Sequence, residues 1–160
     1  MIKQSGLSEI KKRYKKLEKK YKLPNFSELN KEFDVEKVQE RETDFLLREI
    51  RRVMSDKVGA YLRFLELFLN PPAAPLFVLI SLKGMVAHHK EKIEEIYREL
   101  VKIEIRSIAL DVHYEEQEEA KFIREVYKKW KEFKDDLKSI CKEIENLHSK
   151  IEKKNKTYYG

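Results

Sequence analysis

Ile123, Val126, Trp130, Phe133, Leu137, Ile140, Ile144, Leu147 and Ile151 follow one another at spacings of 3 and 4 in strict alternation. Four heptads of this kind admit one local structure, a long α-helix with a single apolar seam that another helix must cover. Nothing nearby interrupts it, because no Gly or Pro occurs between Met85 and Tyr159. Leu7, Ile10, Tyr14, Leu17 and Tyr21 repeat the rhythm near the other end of the chain, with Ser8 as the expected N-cap. A chain built on such seams is expected to be all-α, an antiparallel bundle of about five or six helices with long, partly coiled-coil-like terminal helices.

Punctuation divides the rest. Leu23-Pro24 closes the first helix, since a residue before proline avoids helical backbone angles. Phe26, Leu29 and Phe33 then read as the inner face of a short helix, and Asp34 as the start of a long one with Val35, Val38, Phe45, Leu46 and Ile50 at helical spacing. Asn70-Pro71-Pro72 is the firmest stop, and Pro75 suits the first turn of the helix that follows. Leu76, Phe77, Val78, Leu79, Ile80 and Leu82 leave that helix no polar side, so it is expected in the middle of the bundle or against a partner.

Val101, Ile103 and Ile105, then Ile108, Leu110 and Val112, alternate with other residues as a strand would. With no second strand to pair with, helix is preferred. A break is expected at 111–114, ahead of the acidic run Glu115–Glu119, which suits the positive end of a helix. The expected organisation is one domain over 1–154, with helices at 1–22, 25–33, 34–69, 73–110 and 114–154, and a frayed tail at 155–160.

Composition narrows the class. The chain has 160 residues with 4 Gly, 4 Pro and 1 Cys, and 41% of it is hydrophobic, which excludes collagen-like, disulfide-stapled and disordered chains. The longest apolar run, Ala73–Leu82, is about half of the roughly 20 residues a bilayer span requires, so no membrane role is expected. No secretory leader or lipidation motif is visible, and a reducing cytoplasm is the expected setting. The abundance of Lys, Glu and Ile fits either a hot habitat or an AT-rich genome.

The net charge of +6 is unevenly spread. Met1–Lys22 holds nine basic and two acidic residues, a local charge of +7, while Leu23–Tyr127 is −5 and Lys128–Gly160 is +4. Lys11, Lys12, Arg13, Lys15, Lys16, Lys19 and Lys20 are therefore the candidates for phosphate contact, with Lys128, Lys129, Lys131, Lys134 and Lys138 extending the patch if the terminal helices lie together. The competing reading is an ordinary solvated face, because lysine dominates and arginine is sparse.

No constellation of catalytic residues stands out. Phosphate-cradling glycine loops and the Gly-x-Ser-x-Gly elbow are absent. Glu145 and His148 make a single Glu-x-x-His, where a di-iron bundle needs two, and His88, His89 and His113 lack a ligand set. Cys141 sits beside Ile140 and is expected to be an inert core cysteine. No cofactor, metal or small-molecule substrate is expected. Trp130, Phe133, Leu137, Ile140, Ile144 and Leu147 are the interface candidates, with burial in the chain's own core as the alternative. The expected function is a non-enzymatic interaction or scaffold protein that associates with itself, as a homodimer, or with another helical protein. The runner-up is an RNA- or DNA-associated protein contacting phosphates through its basic terminal helices.

Overall fold

The computed structural model describes residues 6–41 and 44–158. Among them every regular element is helical. The α-helices are α1 Leu7–Tyr21, α2 Phe26–Phe33, α3 Leu46–Leu69, α4 Leu76–Gly84, α5 Ala87–Val112 and α6 Glu116–Tyr158, with 3₁₀ helices at Val35–Glu40 and Pro71–Ala73. By contact the chain gathers into two compact units, Met1–Ala60 with Lys102–Trp130, and Tyr61–Val101 with Lys131–Gly160. Their boundaries fall inside α3, α5 and α6.

In the first unit, α1 is capped by Gly6 with no side-chain bond, so the cap lies two residues ahead of Ser8. It ends at Lys22, whose left-handed backbone (φ 53°) lets the chain turn before Pro24. Tyr14, fully buried, fastens this turn: its hydroxyl donates to the Pro24 carbonyl at 2.7 Å, and its ring meets Phe26 edge-on. Asn25 then accepts the Ser27 N–H and starts α2, which buries Phe26, Leu29 and Phe33.

The helix expected over 34–69 is split. Asp34 adopts a left-handed backbone (φ 54°), which terminates α2 and cannot lead directly into another α-helix. The 3₁₀ helix that follows places Val35 and Val38 on one buried face, a three-residue period that the sequence reading assigned to an α-helix. α3 starts only at Leu46. Leu47, Ile50, Met54 and Val58 of α3 then close a core with Ile103 of α5 and with Ala120, Phe122, Ile123 and Val126 of α6.

The second unit is built on Leu65 and Phe68 of α3, Ile93, Ile96 and Leu100 of α5, and Phe133, Leu137 and Ile140 of α6. The helix expected over 73–110 is two helices. Met85 is extended (ψ 137°), and Glu143 on α6 accepts the Val86 N–H at 3.0 Å, capping the start of α5 from outside. Pro75 stands just before the first helical residue of α4.

Nor is α4 central. Val78 and Ser81 are buried, yet Leu76 is 71% exposed and Phe77 and Leu79 are also exposed. A nine-residue helix that is apolar all round satisfies its neighbours with one narrow edge and leaves the rest outside. That edge approaches α6 through small residues: Ser81 Oγ lies 3.1 Å from His148 Nε2, and a Cβ on Gly84 would come within 2.6 Å of Leu147 Cδ2.

Residues 101–112 are helical, and their apparent alternation resolves into two faces. Leu100, Ile103 and Ser107 turn inward, while Ile105, Ile108 and Val112 turn out. The break falls between Val112 and Glu116, with Glu116, Glu118 and Glu119 in the first turn of α6. α6 itself is helical through Tyr158, beyond the helix end expected at 154; 159–160 lie outside the described residues.

Candidate interaction surfaces

The α6 seam lies largely within the chain's own core. Trp130, Phe133, Leu137 and Ile140 are buried in the chain's own core, and Ile144 and Leu147 are half-buried. Trp130 is held on three sides. Its Nε1 donates to Glu32 Oε2 at 2.8 Å, its ring lies 5.6 Å from that of Phe33, and the Lys57 ammonium sits 4.7 Å above it. Residues of α2 and α3 thus cover Trp130 within the first unit.

The apolar surface left exposed lies elsewhere. On α5, Ile105 is 62%, Ile108 59% and Val112 84% exposed. Spacings of 3 and 4 set them on one stripe of the helix. β-Branched residues are mediocre helix formers and gain nothing from facing water, so their place on this stripe is unexplained by local propensity. On α4 and its flanks, Leu69, Leu76, Phe77, Leu79 and Val86 are exposed.

On α1, Lys11, Lys12, Lys15, Lys16, Lys19 and Lys20 are exposed and Arg13 is half-buried. Lys20 is already engaged, 3.0 Å from Glu116 at the start of α6, where Tyr21 also donates to the same carboxylate at 2.6 Å. The hydrogen bonds from Tyr21 and Lys20 hold Glu116 below the usual carboxylate range. Arg124 of α6 donates to the Tyr21 carbonyl, so the C-terminal end of α1 rests on α6. Lys11 and Lys15 remain on the wall of a cleft of about 310 Å³, opposite Asn25 and Ser27 at the start of α2, with Glu18 also on the wall.

Three polar clusters were not legible as such. In the first unit the buried Arg51 guanidinium donates to Glu119 Oε2 (2.6 Å), to Ser107 O and Oγ (3.1 and 2.8 Å) and to Asp111 Oδ1 (2.6 Å). Burial raises Glu119 above the ordinary carboxylate range despite Arg51. Burial works the same way on Asp111, but hydrogen bonds and charge from Arg51 and Arg52 outweigh it and hold Asp111 low. The cluster clamps α3, α5 and the start of α6 together.

In the second unit His89 Nδ1 bonds Glu143 Oε2, and its Nε2 lies 3.3 Å from Ser139 Oγ. The order carboxylate, imidazole, hydroxyl resembles a catalytic relay. However, Ser139 lies mid-helix, where backbone N–H groups are consumed by the helix ladder and none is free to stabilise an oxyanion. Glu143 makes both contacts, its Oε2 on His89 and its Oε1 as the external cap of α5. The third cluster is His148, whose Nε2 lies 3.1 Å from both Ser81 Oγ and the Phe77 carbonyl, which accounts for its place in the Glu-x-x-His spacing. Among the described residues no group of three His, Cys, Asp or Glu side chains is placed to hold a metal ion. Cys141 is exposed rather than in the core, and partial burial pushes its thiol up, away from reactive thiolate character.

Among the described residues no helix is long and apolar enough to cross a membrane. Comparison of the chain with protein-family models, with curated proteins and with solved structures finds no match.

Proposed function

We propose that this chain is a non-enzymatic interaction protein of the cytoplasm that assembles, first with itself and secondarily with other helical proteins, through apolar helix faces. The observation that carries the reading is the outward stripe of Ile105, Ile108 and Val112, three β-branched side chains at helical spacing and each more than half exposed. The exposed face of α4 supports it. A contiguous exposed apolar stripe is a candidate contact surface.

The test is association at high protein concentration. The wild type is expected to exceed the mass of one chain by light scattering, or to retain a defined partner. The pair Ile105→Lys with Ile108→Lys is expected to weaken at least one such association while leaving helicity and melting unchanged. A wild type that stays strictly one chain at every concentration and binds no partner removes the reading.

A second reading rests on a different observation, the exposed Lys11, Lys12, Lys15, Lys16 and Lys19 along α1 beside the cleft facing α2. In this reading the lysines contact the phosphates of RNA or DNA. Binding of a labelled RNA and a labelled duplex is then expected to weaken steeply with salt. Lys11→Ala, Lys15→Ala and Lys19→Ala together are expected to lower the log–log salt slope by roughly 2 to 3. No binding to either probe at low salt ends this reading.

A further inference from the structure

The cleft between α1 and α2 has two walls of different character. Lys11, Lys15 and Glu18 line it from α1, at spacings of 4 and 3 that set two cations and then one anion along a single face of the helix. Asn25, Ser27 and Asn30 line it from the α2 side. Both carboxamide oxygens on that side are already engaged, Asn25 Oδ1 by the Ser27 N–H and Asn30 Oδ1 by the Glu36 N–H, each at 2.9 Å. What the two asparagines keep for a ligand is therefore the NH2 group, a donor. The Lys11 ammonium stands 5.7 Å from the centre of the Phe26 ring, which holds it against the α2 wall. Among the described residues Lys15 and Glu18 make no ion pair.

The geometry points to this cleft as a binding site for a small phosphomonoester that carries a hydroxyl group within a few bonds of its phosphate. Such a site is separate from the assembly proposed above and uses none of the exposed apolar faces.

Three features fit this ligand class. The first is charge. A phosphomonoester carries about −1.5 to −2 near pH 7 and presents three acceptor oxygens, which match two ammoniums backed by amide and hydroxyl donors. A carboxylate has one charge and two oxygens, and would leave a cation and a donor unmatched. The second is Glu18. A carboxylate on the wall repels an anion set directly beside it. It lies about 4.5 Å beyond Lys15 along the helix axis, however, where it accepts a hydroxyl from a ligand whose phosphate rests between the two lysines. The third is size. The cleft, at about 310 Å³, falls at the lower end of the roughly 300–1,000 Å³ typical of small-molecule sites, and suits a compound the size of a pentose phosphate. A polynucleotide is the weaker occupant, because each of its diesters carries a single charge and would leave Glu18 opposing the chain of phosphates.

The experiment titrates the full chain with ribose 5-phosphate and follows backbone amide signals by NMR. Saturable shifts are expected at the cleft residues, with a Kd on the order of 1 mM or tighter. Inorganic phosphate is expected to bind several-fold more weakly, and unphosphorylated ribose not at all. Lys11→Ala with Lys15→Ala is expected to weaken ribose 5-phosphate about 10-fold or more. Lys12→Ala with Lys16→Ala removes the same charge from exposed positions off the cleft wall, and is expected to change it less than about 2-fold. All four lysines are exposed, so both variants are expected to fold, checked by circular dichroism. Glu18→Ala is expected to tighten inorganic phosphate and to loosen ribose 5-phosphate. If it tightens both, Glu18 only repels and the hydroxyl-bearing ligand class is wrong. No saturable shift up to about 20 mM removes the site. An equal loss in the two lysine pairs shows diffuse attraction to the helix and also removes it. If a labelled RNA needs Lys11 and Lys15 and excess ribose 5-phosphate fails to displace it, the cleft belongs to a nucleic-acid surface and the small-molecule site is wrong. None of these outcomes touches self-association, which light scattering decides separately.

Discussion

Arg51→Ala is expected to cost about 3–5 kcal/mol of folding stability, because it leaves a carboxylate buried without its counter-charge. Arg51 and Glu119 are both fully buried and joined at 2.6 Å, and Arg51 also satisfies the Ser107 carbonyl and hydroxyl. Removing the guanidinium strips Glu119 Oε2 of its donor, while the Ser107 hydroxyl keeps Ser55 Oγ at 2.6 Å. Replacing the pair together, Arg51→Met with Glu119→Leu, is expected to recover most of the loss, since two apolar side chains of similar length need no partner. Urea unfolding of the three proteins measures this, and a single-variant loss below about 1 kcal/mol would show that the clamp is not desolvated. The pH dependence has a definite sign. Glu119 already sits above the ordinary carboxylate range through burial, and without Arg51 it rises further. Its protonated form is then the one the fold prefers, so the deficit of Arg51→Ala shrinks as pH falls through that raised value. Asp111 works the other way in the wild type. Its folded value is lowered, so its contribution is present above the ordinary carboxylate range and is lost as pH falls through the lowered one. A deficit that grows toward acid would contradict the assignment of Glu119 as the orphaned group.

The all-α class was readable because the strongest signal was periodic and long. Ile123 to Ile140 fall where a heptad places them, and the breaks at Leu23-Pro24, Asn70-Pro71 and 111–114 follow from backbone chemistry that acts locally. Local chemistry also explains what was missed. A left-handed Asp34 is available to a short polar side chain but not demanded by it, so the 3₁₀ helix at Val35–Glu40 looked like the start of α3. The break at Met85 depends on Glu143, 57 residues away in sequence, reaching the Val86 N–H. No reading of neighbours can find such a partner.

The candidate surfaces show the same division. Periodicity says which residues share a face, but not whether that face has a neighbour. The α6 seam and the α5 stripe have the same 3,4 rhythm, and only packing distinguishes the covered one from the exposed one. The clearest missed signal was in the sequence all along. Val101, Ile105, Ile108 and Val112 are spaced 4, 3, 4, a second apolar line on a helix that already has an inner face through Ile93, Ile96, Leu100 and Ile103. A helix with two apolar lines separated by charged residues has more seam than one core can cover. The lysines of α1 lie exposed, yet Lys20 is committed to Glu116, a pairing that required α1 and α6 to meet.

Trp130 separates a core seam from an intermolecular one. Trp130→Ala is expected to cost about 3–5 kcal/mol, the range for removing a large aromatic from a packed interior. The cavity would be lined by Phe33 and by the Lys57 stem, and the Lys57 ammonium would lose the ring beneath it. Trp130→Phe retains most of the apolar volume but deletes the Nε1 donor, leaving Glu32 Oε2 without that partner. Glu32 is half-buried and can turn toward water, so the loss is expected to be smaller, about 1–2 kcal/mol. The ordering Ala far worse than Phe, read by urea or thermal unfolding, is the signature of a packed ring with one polar tie. Association provides the second readout. At temperatures where both variants are folded, neither is expected to change the molar mass in solution, because Trp130 is buried within its own chain. A variant that melts like the wild type but loses its partner copy would mean that the seam over Trp130 opens in solution and that the ring belongs to an interface after all.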